Sequence, residues 1–532
     1  MEKLCTEHNL LRNEGGVIRV PFLIKGKLIA PPEIGREQIE AAFNYTNKST
    51  TYVKLPGVQL VREPVIDRKT MKYTGEYIYQ VMPPVNGQEL IEADIDKLAG
   101  ELYSLSVEDI LEYLETILST LLTNSRLAVR VCDICRLTSE FPDAFLDGWF
   151  TSFHSIFNQE AIRQMVDAEL SFMGKPGSDF LNEWIEVPAR ISTGWFHMRA
   201  YNLFSQDMAN ESVKSYVRAM PTRQLHITAG NAPEVPLISA LRAVLTKSAA
   251  VIKLPYGATL TGALFSVAAT VSAPENPITK NLSMVYWPGG EESIENILFM
   301  PNVFDRVVVW GNPVTVASIQ SRALFTRVIC LNPRYGVSLI GNEAFSGNLG
   351  EAAAKASMDV MIYKQKACTS SLVHYVEGTE EQTNEYAESL CKVLGKWDRE
   401  IPNFVPPSAL GQIKRMRRGR YANARWYINN RGDDFSSGVV VMPDEFDILD
   451  HPICRLVVVR PVTSLEGALK YLNQYVSTAG VYPEKRRLEL RDRILARGVS
   501  SLLPLGQCER VYTGMPHDGM RVLGELVDWK NA

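Results

Sequence analysis

The sequence predicts an α/β protein built on parallel sheets with helices on both faces, preceded by a β-rich and helical N-terminal region. Three observations carry this. From Leu225 onward the apolar runs LHITAG, AAVIKLP, LSMVYWPG, DRVVVWG and TRVICLN alternate with helical stretches over 235–246, 260–271, 292–298 and 314–323; this is the βαβα order that feeds a parallel sheet. The runs are apolar nearly throughout, as strands covered on both faces must be. Each ends in a loop-former, namely Ala229-Gly230-Asn231, Lys253-Leu254-Pro255, Pro288-Gly289-Gly290 or Gly311-Asn312-Pro313. Ligands of such sheets bind at the carboxyl ends of the strands, where glycine lets backbone come close.

The remaining elements follow in chain order. In the N-terminal region, 1–217, the runs GVIRVPFLI, TYVKL and EYIYQV between Gly, Pro and Asn breaks predict short strands up to about residue 85. Helical spacing of apolar residues takes over from 88 to 137. Residues 143–217 read as aromatic-rich helix. Its Trp149, Phe150, Phe153, Trp184, Trp195 and Phe196 are core, subunit contacts or a pocket wall rather than a nucleic-acid platform, because no basic residues interleave with them. The first sheet occupies 218–331. A second β/α segment, 332–500, holds GVSLI, a helix over 349–363, the loop KQKACTSS, strand LVHYVE, a helix over 381–394, strands GVVVM and RLVVVRPV, and helix SLEGALKYLNQY. Between them the basic run 414–420 reads as a solvated face, with an anion or coenzyme-phosphate role as the alternative. Residues 501–532 close the chain on TGMPHDGMRVLGELVDW.

A chain of 532 residues with a formal charge of −4 has no global basic field to gather nucleic acid or anionic membrane. The N-terminus lacks a basic and apolar leader, and no stretch is long and apolar enough to insert in a bilayer. A soluble, cytoplasmic protein is expected. Eight cysteines give no dense disulfide framework. The CxxC of Cys132 and Cys135 lacks the second ligand pair that zinc needs and lies in a helical pattern, so no metal is expected.

Cys368 is the cysteine placed for chemistry. It follows a helix in a polar context, with Lys364 and Lys366 before it and Thr369, Ser370 and Ser371 after it, where cations and exposed amides favour the nucleophilic thiolate. Cys330 and Cys454 in apolar strands and Cys391 in a helix read as small buried hydrophobes. His226 and His374 sit in strand patterns as core histidines. His517, in PHDG, is better placed for contact with a substrate.

These residues carry a resemblance. HITAGNAPEVPLISALRAVLTKSAAVIKLP, PGG, VVVWGN, KQKACTSS and the closing PHDG resemble the LuxC family of acyl-CoA (fatty-acyl) reductases, within the aldehyde dehydrogenase superfamily. The likeness is most specific from Leu225 to Glu377, returns at the C-terminus, and is weak before about residue 190. It implies an aldehyde dehydrogenase-like fold in which 218–331 is the core of a nucleotide-binding domain, 332–500 the catalytic cysteine domain and 501–532 a C-terminal segment. Cys368 aligns with the nucleophile. Asn231 aligns with the amide that forms the oxyanion hole with the nucleophile's own N–H. Lys253 matches the lysine holding the adenosine ribose or its phosphate, Gly289, Gly290 and Gly311 match turns against which the cofactor lies, and Thr228 and Asn312 neighbour the same cleft. His517 matches a family motif and would contact substrate or relay a proton to the departing thiol.

Two departures refine that expectation. Hydrolytic members of the superfamily carry a water-activating glutamate in an E-L-G-G motif, and the corresponding segment here is LNPRYG. Its absence disfavours hydrolysis and spares an acyl-enzyme. Where NAD-using members place a ribose-binding glutamate, this chain has Tyr256, which with Lys253 makes NADPH the expected reductant. The resemblance thus implies NADPH-dependent reduction of an acyl thioester, on CoA or protein-bound, to an aldehyde through acyl-Cys368. Expected partners are the acyl-CoA or acyl-protein donor, an acyl-protein synthetase or carrier protein, and further copies in a homo-oligomer. The alternatives are an oxidative aldehyde dehydrogenase and a cofactor-free acyl carrier or acyltransferase.

Overall fold

The computed structural model of the protein describes residues 1–44, 46–47, 50–148, 157–187, 214–510 and 513–532. The five apolar runs after Leu225 form strands Arg223–Ile227, Ala249–Lys253, Leu282–Val285, Arg306–Trp310 and Arg327–Leu331, all parallel, with helices Val235–Leu245, Thr259–Ser272, Glu292–Leu298 and Pro313–Arg322 between them. In space the sequence order is fifth, fourth, first, second, third. The order therefore reverses between Arg223–Ile227 and Arg306–Trp310, and the crevice at the carboxyl ends of these two strands is the topological switch point.

Two antiparallel strands from the N-terminus, Phe22–Ile24 and Lys27–Ile29, extend this sheet beyond Leu282–Val285 through the pair Leu23↔Met284. One hydrophobic cluster runs without interruption from Met1 through the 107–134 helices and the sheet to Val522–Val527. The 217/218 boundary expected from the sequence therefore passes through a single packed core. The other N-terminal strands make a separate five-stranded sheet over residues 13–82.

The second sheet has the order Arg425–Arg431, Asp434–Val441, Leu456–Val462, Ser371–Glu377, Tyr335–Ile340, Val476–Tyr482, Ser501–Pro504, parallel except for its first pair. Side chains alternate across it: Leu456 and Val458 join one core cluster, Val457 and Val459 the other. Burial on both faces is why these strands read as continuous apolar runs. The capping box of Thr379 and Gln382 starts the Glu380–Glu400 helix, which runs longer than its apolar pattern shows. SLEGALKYLNQY yields only a short helix, Leu465–Ala468, and a 3₁₀ turn, Leu469–Tyr471.

Residues 143–217 depart most from expectation. Helices Gln159–Glu169 and Gly177–Asn182 are present, but Ile185–Val187 and Ser215–Met220 are strands. Their partner is the last strand of the chain, Asp528–Asn531, a pairing too distant in sequence for local periodicity to signal. Of the aromatics in this region, Trp184 is exposed, whereas Trp149, Phe150, Phe153, Trp195 and Phe196 lie outside the described residues. The chain end is tied down as well: Arg306 Nη2 donates to Val527 O at 3.0 Å, and Gln224 Nε2 to Leu526 O at 3.2 Å. Among the described residues no helix is long and apolar enough to cross a membrane. The 414–420 run lies on the exposed face and end of helix Pro407–Arg418, and Cys132 and Cys135 lie in helix Ser125–Thr138.

Candidate active site

Cys368 sits in the loop between helix Leu349–Met361 and strand Ser371–Glu377. Just before it, Tyr363, Lys364 and Gln365 have φ of 44°, 56° and 65°, a left-handed run costing roughly 1–2 kcal/mol per residue. Buried hydrogen bonds hold it. Lys364 Nζ donates to Phe404 O at 2.8 Å and Glu140 O at 3.1 Å, Gln365 Nε2 to Leu456 O at 2.9 Å, and Ser370 Oγ to Ile362 O at 2.8 Å. On the other side a Cβ at Gly336 would stand 2.5 Å from Thr369 O and 2.7 Å from Ser370 O, so only glycine lets the loop lie against the neighbouring strand.

These bonds overturn the expected source of thiolate character. Lys364 is consumed by backbone carbonyls and Lys366 pairs with Glu140, so neither ammonium is available to favour the thiolate. Cys368 is half-buried, and its thiol is pushed up, first by desolvation and then by the Asp518 carboxylate; a Ser477 hydrogen bond, its own backbone N–H and Arg334 act in the opposite sense. The resting nucleophile is the thiol.

Arg334 and Ser477 come from the amino ends of two adjacent strands of the same sheet, Tyr335–Ile340 and Val476–Tyr482. Asp518 comes from the C-terminal segment. The backbones of His517 and Met520 exchange two 2.9 Å hydrogen bonds, and Asp518 and Gly519 between them have φ of 50° and 80°. Positive φ at both central positions suits an Asp-Gly turn. The turn presents Asp518 to Ser477 Oγ, which donates to Oδ1 at 3.3 Å, and to Arg334 Nε, 3.5 Å from Oδ2. Arg334 is itself anchored on Ser500 Oγ at 2.6 Å. Where the superfamily's water-activating glutamate would stand, the chain places this cation.

His517 packs edge-on against Trp310 at 5.4 Å, at the carboxyl end of a switch-point strand, and Arg242 Nη2 lies 3.2 Å from its Nδ1. Burial and the cations Arg242 and Arg334 push its pKa down to about 3. His517 is therefore neutral, with Nδ1 as acceptor, and is not a resident proton donor. Burial leaves His226 and His374 neutral too; each has one ring nitrogen bonded, to Gln224 and Tyr386, and the other unpartnered.

Asn231, just past strand Arg223–Ile227, donates from Nδ2 to Lys366 O at 3.2 Å. This bond joins the carboxyl edge of the first sheet to the loop two residues ahead of Cys368. A second bridge, Tyr363 OH to Glu234, runs beside it. Lys253 is buried with Nζ 5.4 Å from the centre of the Trp287 ring; burial lowers its pKa to about 8, and Glu295 opposes that shift. Glu295 accepts from Trp287 Nε1 and Gly290 N, both at 3.2 Å, and pairs with Arg322 at 2.6 Å. The surroundings of Lys253 thus contain a carboxylate that the sequence does not reveal, already engaged with a cation. Gly290 has φ +81°, and no atom lies within 4 Å of a Cβ built on Gly289 or Gly290. Gly311 packs on Thr315, and Tyr256 is exposed.

Two expected cofactor neighbours are already engaged. Thr228 Oγ1 donates to Lys253 O at 2.7 Å, and Asn312 Oδ1 caps helix Pro313–Arg322 through Thr315 N at 2.9 Å. Glu343, the nearest carboxylate to Cys368 in sequence, follows the carboxyl end of Tyr335–Ile340, whereas Cys368 precedes the amino end of its parallel neighbour. At about 3.3 Å per residue the strand puts them some 20 Å apart. The site thus gathers Cys368, Asn231 and His517 at one crevice mouth and Lys253, Gly289 and Gly290 along the same sheet edge. Arg334, Ser477, Asp518, Arg242 and Glu295 join them unannounced; only the Asp-Gly pair beside His517 offered a local signal.

The sequence profile Acyl-CoA reductase (LuxC) matches residues 202–529. Long-chain acyl-protein thioester reductase of Photorhabdus laumondii is 25% identical over 374 residues, covering 65% of this chain and 74% of its own. The Vibrio harveyi protein of the same name is 24% identical over 361 residues, covering 64% and 73%. Among solved structures, aldehyde dehydrogenase 21 from Physcomitrella patens, in complex with succinate, superposes with a TM-score of 0.67 at 12% identity over 96% of this chain and 97% of its own. NADP-dependent glyceraldehyde-3-phosphate dehydrogenase from Bacillus halodurans, complexed with NADP, gives 0.67 at 12% over 97% and 99%. The fold is that of the aldehyde dehydrogenases.

Proposed function

The chain belongs to the LuxC acyl-CoA reductase family, and from that premise we propose that it reduces an acyl thioester to the aldehyde with NADPH through an acyl-Cys368 intermediate. The observation that carries this reading is the Asn231 to Lys366 O bond, which sets the cysteine loop over the carboxyl ends of a switch-point sheet. The names of the relatives, acyl-protein thioester reductase, favour a protein-bound acyl donor, and hence a synthetase or carrier as partner.

Cys368 attacks the thioester carbonyl, and the second N–H of Asn231 with the Cys368 backbone N–H stabilises the oxyanion. The acyl group stays on sulfur when the donor thiol leaves. Arg334, standing in place of a carboxylate, leaves water without a base at this point. The residues at the first sheet's edge suit a dinucleotide. Gly289 and Gly290 leave open the space a Cβ would fill, Lys253 offers an ammonium for the 2′-phosphate, and Tyr256 holds no charge against it. When bound, NADPH supplies the hydride for the acyl carbon. His517, neutral on Trp310, shapes the substrate contact.

The test is intact-protein mass spectrometry with decanoyl-CoA and no nucleotide. A long-lived adduct on Cys368 that yields aldehyde when NADPH is added is expected, with none in Cys368→Ala. Rapid release of free acid would return the lead to an oxidative aldehyde dehydrogenase.

A further inference from the structure

We infer that Ser477 and Asp518 form a proton relay that deprotonates Cys368 as it attacks the acyl donor; the inference rests on Cys368 being the nucleophile. Three features of the site point to it. The thiol lies in hydrogen-bond contact with the Ser477 hydroxyl, and that hydroxyl donates to Asp518 Oδ1 at 3.3 Å. Ser477 and Asp518 are both 5% exposed, Asp518 by its side chain. Bulk water is thus a poor acceptor for the proton. Finally, a serine hydroxyl accepts one proton while giving up its own, so a path from sulfur to carboxylate exists without movement of either residue.

Electrostatics alone gives Asp518 the opposite effect. As a fixed anion near sulfur it opposes the thiolate. It assists attack only if the proton moves to it during the step. Burial raises its own proton affinity, while Arg334, Ser477 and Arg242 lower it. The groups facing it are Arg334, Ser477, the neutral His517 and, farther off, Arg242, which is itself balanced by Glu169.

The step balances as follows. A lone pair on Sγ forms the bond to the acyl carbon, and the carbonyl π pair moves to oxygen. The S–H bond breaks toward Ser477 Oγ, whose own proton passes to Asp518. On collapse the C–S bond to the donor breaks, and the proton returns along the same path to the leaving thiolate. Acyl exchange is complete with no net change in charge and no oxidant or reductant. The departing thiol is thus protonated by Asp518, a role the neutral His517 cannot fill.

The experiment is rapid-quench acylation by decanoyl-CoA, without nucleotide, read by intact mass from pH 6 to 9.5. For the wild type the rate should reach a plateau once Asp518 ionises, well below the thiol range. Ser477→Ala and Asp518→Asn should fall at least tenfold at pH 7 with unchanged melting temperature, then climb about tenfold per pH unit as free thiolate takes over. Ser477→Thr should restore the plateau. A Ser477→Ala profile that overlays the wild type, or an Asp518→Asn rate above wild type at pH 7, as removal of a repelling charge would give, overturns the relay while leaving the nucleophile intact. Acyl labelling that survives Cys368→Ala overturns both.

Discussion

Lys253→Met should make the protein more stable and less able to bind NADPH. The ammonium is buried beside Trp287, and its pKa falls from 10.5 to about 8, with desolvation as the first cause. At about 1.4 kcal/mol per pH unit, holding the charge in that place costs up to about 3 kcal/mol. The folded protein sheds this proton before the unfolded chain does. The cost is therefore fully present below about pH 8 and disappears as pH rises toward 10.5. A methionine of similar length removes the charge, while Glu295 keeps its partner Arg322. Urea unfolding without nucleotide at pH 7 should show a gain of up to about 3 kcal/mol over wild type, shrinking at pH 10. Fluorescence titration should show NADPH binding weakened more than NADH binding, and wild-type NADPH affinity should decline above pH 8 as the ammonium is lost. A variant less stable than wild type at pH 7, with equal losses for both nucleotides, would refute the reasoning and make Lys253 a packing residue.

Asn231→Ala should lower turnover about a hundredfold with little change in donor affinity, as loss of one oxyanion donor does; an unchanged turnover number would place the hole elsewhere. Tyr256→Glu should shift preference toward NADH by setting a carboxylate near the 2′-phosphate, checked by the ratio of kcat/KM for the two cofactors. Glu63, buried between Gln80 and Thr138, has its pKa raised to about 7, mainly by burial. Its contribution to stability is retained at low pH and lost as pH rises from 4.5 through 7, an effect of up to about 3 kcal/mol. Glu63→Gln should flatten that dependence in urea unfolding at pH 5 and 8, and an unchanged difference would show that Glu63 ionises freely.

The two parallel sheets, their crossover helices and the residues at the strand ends were legible in the chain, because each is local. A strand buried on both faces must be apolar throughout, and the loop-formers Asn231, Gly290 and Cys368 stand directly beside such runs. The 1–217 boundary and the helical reading of 185–220 failed for the complementary reason. A strand that pairs with Asp528–Asn531, or packs into a core shared with residues from the far end of the chain, has no local mark. The chemistry divides along the same line. Sequence determined which residue is the nucleophile candidate and that LNPRYG lacks a carboxylate. Only the tertiary structure decided what surrounds the sulfur: Lys364 and Lys366 turned away to Phe404 and Glu140, while Arg334, Ser477 and Asp518 arrived from separate strands and a C-terminal turn. Charge and burial act through space, so the state of the Cys368 thiol depends on neighbours more than a hundred residues away along the chain.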